Sequence, residues 1–329
     1  MKRILLFKPG AIGDLLQITP VIEALHRRYP AAQITVMVGN RGTVPLFAHH
    51  PLVSEVMVYE RKGDHASPGA FLKLWQQVRA RRFDLVVNFQ RSNSKGWLLL
   101  LAAFPARYLV YHKTRNRMVH AVENHLEALL PIGIQPSGVP LQLLFYPGEE
   151  AVRQAEALFC LYTLNGKRVI ALNPGASHAV NRWSTRQFAQ LADKLAESSG
   201  TCAVLIGGGD DRELANEIVS QSAQPPLNLV GTTDIALTGA LLARCSALVS
   251  GDTGPMHLAT AVGTPVVALF GAADPARTGP VGKGHLVIQS DNVPCVPCRS
   301  RECVNQQYLA CMASIQVDEV LRQLERVAR

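Results

Sequence analysis

The chain has 329 residues, of which 48% are hydrophobic and 18% charged, enough to bury the cores of two ordinary domains. No stretch reaches the roughly 18 apolar residues of a membrane-spanning helix; the longest such run, residues 97–104, stops at Pro105. Residues 1–150 carry 18 Lys and Arg against 10 Asp and Glu, whereas residues 151–329 carry 15 of each, so the whole excess of positive charge, +8, lies in the first half. A basic half suits an acidic partner such as an anionic lipid or a phosphorylated substrate. No nucleic-acid motif accompanies the charge, and few aromatics lie near it, which argues against nucleic acid.

In chain order, residues 2–7 form a hydrophobic strand ended by a glycine turn, Lys8-Pro9-Gly10-Ala11-Ile12-Gly13-Asp14, and residues 15–29 an amphipathic helix. Strands are expected at 34–38 and 53–58, a helix at 71–82 and a strand at 85–89. The opening is too short and lacks the cleavage site of a secretory leader, so the expected location is the cytoplasm. The stretch 131–147 is rich in Pro and Gly and reads as the exit from a first domain. A helix at 149–164 follows it, and then strands at 167–172 and 202–206 with helices at 185–198, 212–220 and 237–245. Strands alternating with helices indicate an α/β fold with parallel, Rossmann-like sheets. The first turn reads G-x-x-G-D rather than G-x-G-x-x-G, so the dinucleotide fingerprint of an NAD-dependent oxidoreductase is missing.

The stretch 250–271, SGDTGPMHLATAVGTPVVALFG, concentrates the chemistry. A buried strand at 247–249 runs into it. Asp252 and Thr253 are capping residues, Pro255 suits the first position of a helix, and Gly263 suits its end. Free N–H groups at that helix start attract an anion, and a diphosphate is the natural guest.

The chain resembles the lipopolysaccharide heptosyltransferases of glycosyltransferase family nine along nearly its whole length. The resemblance rests on KPGAIGDLLQITPVIEAL at 8–25, FDLVVNFQ at 83–90, NPGASHAVNRWSTRQFAQLA at 173–192, LIGGGDD at 205–211, and SGDTGPMHLATAVGTPVVALFG. It implies a GT-B fold, two Rossmann-like domains facing across a cleft. We place the domains at 1–163, binding acceptor, and 164–329, binding the nucleotide sugar, with the last helix able to pack back on the first domain. The implied reaction is inverting transfer of heptose from ADP-heptose to the acidic inner core of lipopolysaccharide, with no cofactor. Transfer from another nucleotide sugar or to another glycan, and plain nucleotide-sugar binding without catalysis, are the alternatives.

The resemblance makes Asp14 the catalytic base. It puts Ser177, Arg182, Asp252, Thr253, Gly254, Met256 and His257 around the donor. Arg182 departs from the Lys usual at its place in the family, keeping the charge but as a planar fork. From the charge imbalance, Arg61, Lys62, Arg91, Lys95, Lys113, Arg115 and Arg117 are expected to meet acidic core sugars and lipid phosphates, with peripheral contact at the inner face of the cytoplasmic membrane.

Seven cysteines remain. Cys160, Cys202 and Cys245 lie in or beside apolar segments and read as inert thiols. Cys295, Cys298, Cys303 and Cys311 follow the pattern C-x-x-C-x4-C-x7-C, for which a structural zinc or iron, free thiols, and disulfides all stay open.

Overall fold

The computed structural model describes residues 1–90, 92–112 and 118–327. The chain divides into two compact units, Met1–Tyr146 and Pro147–Arg329. Each is a parallel sheet with helical crossovers, so the α/β, Rossmann-like expectation holds for both.

The first sheet comprises β1 (Arg3–Phe7), β2 (Gln33–Val38), β3 (Glu55–Val58), β4 (Leu85–Asn88) and β5 (Arg107–Val110), in the order β3-β2-β1-β4-β5. Every neighbouring pair is parallel. The central strand is apolar throughout because both of its faces are covered: Ile4, Leu5, Leu6 and Phe7 are fully buried. The helix expected at 15–29 is two helices, Ile12–Leu16 and Thr19–Arg28. Pro20 has no N–H to donate back into a preceding turn, so it starts the second helix near its first position.

The second sheet comprises β6 (Arg168–Asn173), β7 (Thr201–Leu205), β8 (Leu227–Asn228), β9 (Ala247–Gly251), β10 (Val266–Phe270) and β11 (Leu286–Gln289). Their order is β11-β10-β9-β6-β7-β8, again all parallel. In both sheets the chain starts in the middle, winds to one side and then crosses to the other. The strand order therefore reverses between β1 and β4 in the first unit and between β6 and β9 in the second. Helices leave such a pair toward opposite faces, opening a crevice at the carboxyl ends of the two strands.

The helix Glu149–Leu161 groups with the second unit, which begins at Pro147. Its buried stripe, Ala151, Ala155 and Phe159, packs toward the helix Ile235–Leu242, and the Arg244 guanidinium lies 4.7 Å from the Phe159 ring centroid. The last helix, Val317–Val327, is part of the second unit. Val317, Val320 and Leu324 join the core of the second, beside Leu191, Leu195 and Leu269. Arg168 donates to Leu324 O at 3.0 Å and secures it there.

His50 is a buried polar side chain of the first unit. Its Nδ1 accepts from Leu52 N at 3.2 Å, and its ring stands edge-on to Tyr146 at 5.1 Å. Burial pushes its pKa down to about 4. A histidine held neutral in the fold and titrating near 6.5 when unfolded contributes stability that is complete above pH ~6.5 and is lost as the pH falls toward 4. The stability of the wild type should drop across that window, and His50→Asn, which keeps an acceptor without a titrating ring, should flatten the drop. Parallel unfolding curves for the two proteins would contradict this.

Candidate active site

The two reversal points carry the polar residues. In the second unit, β6 and β9 pair so that Asn173 stands opposite Ser250. Asn173 is 2% exposed at the end of an apolar strand. Its amide nitrogen lies 3.0 Å from Ser250 Oγ, 3.1 Å from Thr253 Oγ1 and 3.1 Å from Gly175 O. The two hydroxyls are 2.9 Å apart. One side chain thus ties the β6 turn to the β9 turn across the crevice.

Beyond that tie the helix Gly254–Ala261 begins, capped by Thr253 and with Pro255 in its first turn, as the capping pattern anticipates. Met256 N reaches Thr253 Oγ1 at 3.5 Å, a long bond. His257 is buried on the same turn. Asp252 accepts from Thr278 Oγ1 at 3.0 Å. Gly251 is required here, since a Cβ would collide with Asn181 O, the backbone of the loop that brings in Arg182.

That loop is held from its far side. The Trp183 indole is buried, donates to Ile315 O at 3.1 Å and meets Phe188 edge-on at 5.0 Å. Arg182 donates to Ala176 O through Nε at 3.0 Å and Nη2 at 2.7 Å. Its fork closes the loop around the exposed Ser177, a bracing role that a single ammonium fills less well. The LIGGGDD motif is structural: Asp211 accepts from Gly208 N at 3.0 Å and packs under Gly175.

In the first unit, Asp14 lies on the short helix after β1 with its side chain half exposed. Lys8, 6% exposed, follows the last residue of β1 just behind it. The Lys8 ammonium is 3.3 Å from Asp14 Oδ1 and 3.3 Å from His125 Nε2, and 5.9 Å from the Tyr111 ring centroid. An ammonium can only donate, so His125 Nε2 is the acceptor in that pair. The His125 ring is wedged edge-on against Phe89 at 5.3 Å and beside Tyr111 at 4.7 Å. Gly10 lets the turn fold over Asp14, because a Cβ there would sit 2.9 Å from the aspartate Cβ. Next to this turn opens a pocket of about 730 Å³ lined by Gly10, Tyr59, Glu60, Arg61, Lys62 and Asn93 among others. Burial pushes the Tyr59 hydroxyl up while the Arg61 charge pulls it down, so Arg61 acts on the pocket wall.

The structure thus assembles Arg182, Asp252, Thr253, Gly254, Met256 and His257 around one reversal point, and Asp14, Arg61 and Lys62 around the other. Lys95 is exposed at the start of the helix Ser94–Leu100 and does not line the pocket. Arg91, Lys113, Arg115 and Arg117 lie outside the described residues. Asn173, Lys8 and His125 are site residues that motif reading passed over. The first two share a signal: each is a lone polar residue closing a buried apolar strand.

The cysteine loop is gathered but does not form a ligand cage. Burial pushes the Cys311 thiol up, with the other three cysteines adding to the effect. Cys303 Sγ accepts from Leu309 N at 3.3 Å, and Cys295 Sγ from Asn305 Nδ2 at 3.6 Å. All seven cysteines are free, and among the described residues no group of three or more His, Cys, Asp or Glu is set to hold a metal ion. The loop has another brace: Arg299 donates to the buried carboxylate of Asp274 at 2.6 Å, and Arg299 N donates to Ala272 O at 2.8 Å.

Residues 71–309 match the family model described as glycosyltransferase family 9 (heptosyltransferase). The chain belongs to glycosyltransferase family 9. This glycosyltransferase is 28% identical to lipopolysaccharide heptosyltransferase 3 of Escherichia coli, over 93% of its own length and 94% of that protein's. It is 28% identical to lipopolysaccharide heptosyltransferase 2 of E. coli K12, over 87% and 88%. Its fold matches the structure of E. coli ADP-heptose LPS heptosyltransferase II with a TM-score of 0.81 at 27% identity, covering 100% of this chain and 98% of that one. It also matches a family 9 glycosyltransferase from Veillonella parvula at 0.87 and 23% identity, over 99% and 97%. The glycosyltransferase is of the GT-B type with two Rossmann-like domains.

The Asn173 tie yields a direct test. Asn173→Ala leaves the Ser250 and Thr253 hydroxyls without their buried donor, which should cost about 1–3 kcal/mol in unfolding experiments. Unchanged stability would show that the tie carries no weight.

Proposed function

We propose that this glycosyltransferase moves heptose from ADP-heptose to the inner core of lipopolysaccharide with inversion at the anomeric carbon. The acceptor hydroxyl oxygen attacks that carbon, its proton passes to the Asp14 carboxylate, and the bond from carbon to phosphate oxygen breaks to release ADP. The observation that carries the reading is the pairing of chemistry with topology. A half-exposed carboxylate backed by a buried ammonium stands at one strand reversal, and a capped helix start stands at the other.

In this reading the ADP diphosphate lies at the first turn of the helix Gly254–Ala261. The Gly254 and Met256 amides, the Ser177 hydroxyl and the remaining Arg182 donors offset the charge that grows on the leaving oxygen. Asp252 and His257 meet the sugar or phosphate. Arg61 and Lys62, at the pocket beside Asp14, take the acidic acceptor, with Lys95, Arg91, Lys113, Arg115 and Arg117 extending the basic surface toward lipid phosphates and an anionic membrane. No step passes through a metal; a zinc or iron held by Cys295, Cys298, Cys303 and Cys311 would brace their loop and nothing more.

Asp14→Asn should lower kcat by about 10²–10⁴-fold and leave ADP affinity within about 2-fold, because the donor residues lie in the other unit. Lys8→Met, which removes the ammonium orienting the carboxylate, should lower kcat by about 10²-fold with little change in KM for ADP-heptose. Turnover measured with a delipidated core acceptor, and compared with UDP- and GDP-sugars, checks both. Full activity of Asp14→Asn would overturn the assignment of the base.

A further inference from the structure

The helix Ser94–Leu100 continues into the 3-10 turn Leu101–Ala103 at the surface of the first unit. Its inner face, Leu99, Leu100, Ala102 and Ala103, is buried in that unit's core. Its outer face should be polar, and it is not. Leu98 is 54% exposed, Leu101 54% and Phe104 67%. With the exposed Lys95 they repeat every third residue and so line one side of a segment that passes from α to 3-10 geometry. Three large apolar side chains in one exposed stripe mark an interaction surface rather than ordinary scatter.

The charge beside the stripe says what covers it. Residues 92–112 contain two cations, Lys95 and Arg107, both exposed, and no Asp or Glu. Lys95 heads the stripe itself. Arg79, from the adjacent helix Pro68–Arg81, is exposed and donates through Nη1 to Phe104 O at the other end. An apolar ridge set in a field of one sign fits a bilayer with anionic headgroups: the side chains enter the acyl boundary while the cations stay among the phosphates. A protein partner would meet the same ridge with acidic side chains placed point by point, and a second copy of this chain would set the basic field against itself. Neither fits this surface as well.

We propose that Leu98, Leu101 and Phe104 are a membrane-insertion ridge that docks the first unit on an anionic lipid surface. The choice of lipid deepens the proposed function and rests on it in one respect, that the acceptor is itself membrane-held. The ridge supplies the apolar signal, and Arg79, Lys95 and Arg107 the electrostatic one. Stable peripheral anchoring generally takes two such signals together.

The test is co-sedimentation of the full chain with vesicles of phosphatidylglycerol mixed with phosphatidylcholine, against phosphatidylcholine alone. The wild type should partition to the mixed vesicles and lose binding as salt is raised. The triple variant Leu98→Ser, Leu101→Ser, Phe104→Ser should partition about 10-fold less or weaker still. Because the three side chains are already exposed, it should keep the wild-type melting temperature, light-scattering mass and rate on a delipidated core acceptor. Wild-type partitioning by the variant, or equal wild-type binding to both vesicle types, would overturn the proposal. So would a wild-type dimer that the variant dissociates, which would make the ridge an interface between copies. Absence of heptosyl transfer by the wild type would sink the functional reading instead, and the vesicle result would still decide the ridge.

Discussion

The hydrogen bonds from the Asn173 amide to Ser250 and Thr253 hold the crevice of the second unit in shape. Where a parallel sheet reverses its winding, the turns beyond the two paired strands part toward opposite faces and leave a gap. In the second unit that gap is closed by one buried side chain that donates to both neighbouring turns. The position of the helix Gly254–Ala261, with its first-turn amides, follows from that closure. So does the approach of the Arg182 loop, which Gly251 admits and Trp183 anchors. A buried amide with three acceptors tolerates few substitutes, because any replacement leaves polar atoms unpaired in the interior.

The first unit solves the same problem with charge. Lys8 occupies the position after β1 that Asn173 occupies at the end of β6, but its ammonium reaches forward to Asp14 and back to His125. The carboxylate is therefore oriented from the buried side and open on the other. That arrangement suits the general base proposed for Asp14. A neutral tie would fix the turn equally well and leave the carboxylate without a nearby counter-charge.

Much of this was legible in the sequence because it is local. Strand runs such as RILLF and VVALF, and the cap-and-proline start of the helix at 254, are written in adjacent residues. The less local features were harder. The helix 149–161 follows the Pro- and Gly-rich exit at 131–147 in the sequence, but nothing local shows its contact with the second unit through Phe159 and Arg244, segments far apart in the chain. The partnership of Lys8 with His125 spans 117 residues, and nothing near either one announces it. β5 and β11 are short four-residue edge strands with partly exposed patterns, so their periodicity is weak. The cysteine spacing left a metal, free thiols and disulfides open, and the pair that braces the loop, Arg299 on Asp274, joins residues that no motif connects.

The central claim is that a nucleoside diphosphate is gripped at the β6–β9 reversal. A crystal structure of this chain with ADP bound tests it most directly. The account predicts diphosphate oxygens within hydrogen-bond distance of the Gly254 or Met256 amide and close to Arg182. Diphosphate bound anywhere else, with the Asp252–His257 turn making no contact to it, would contradict the account.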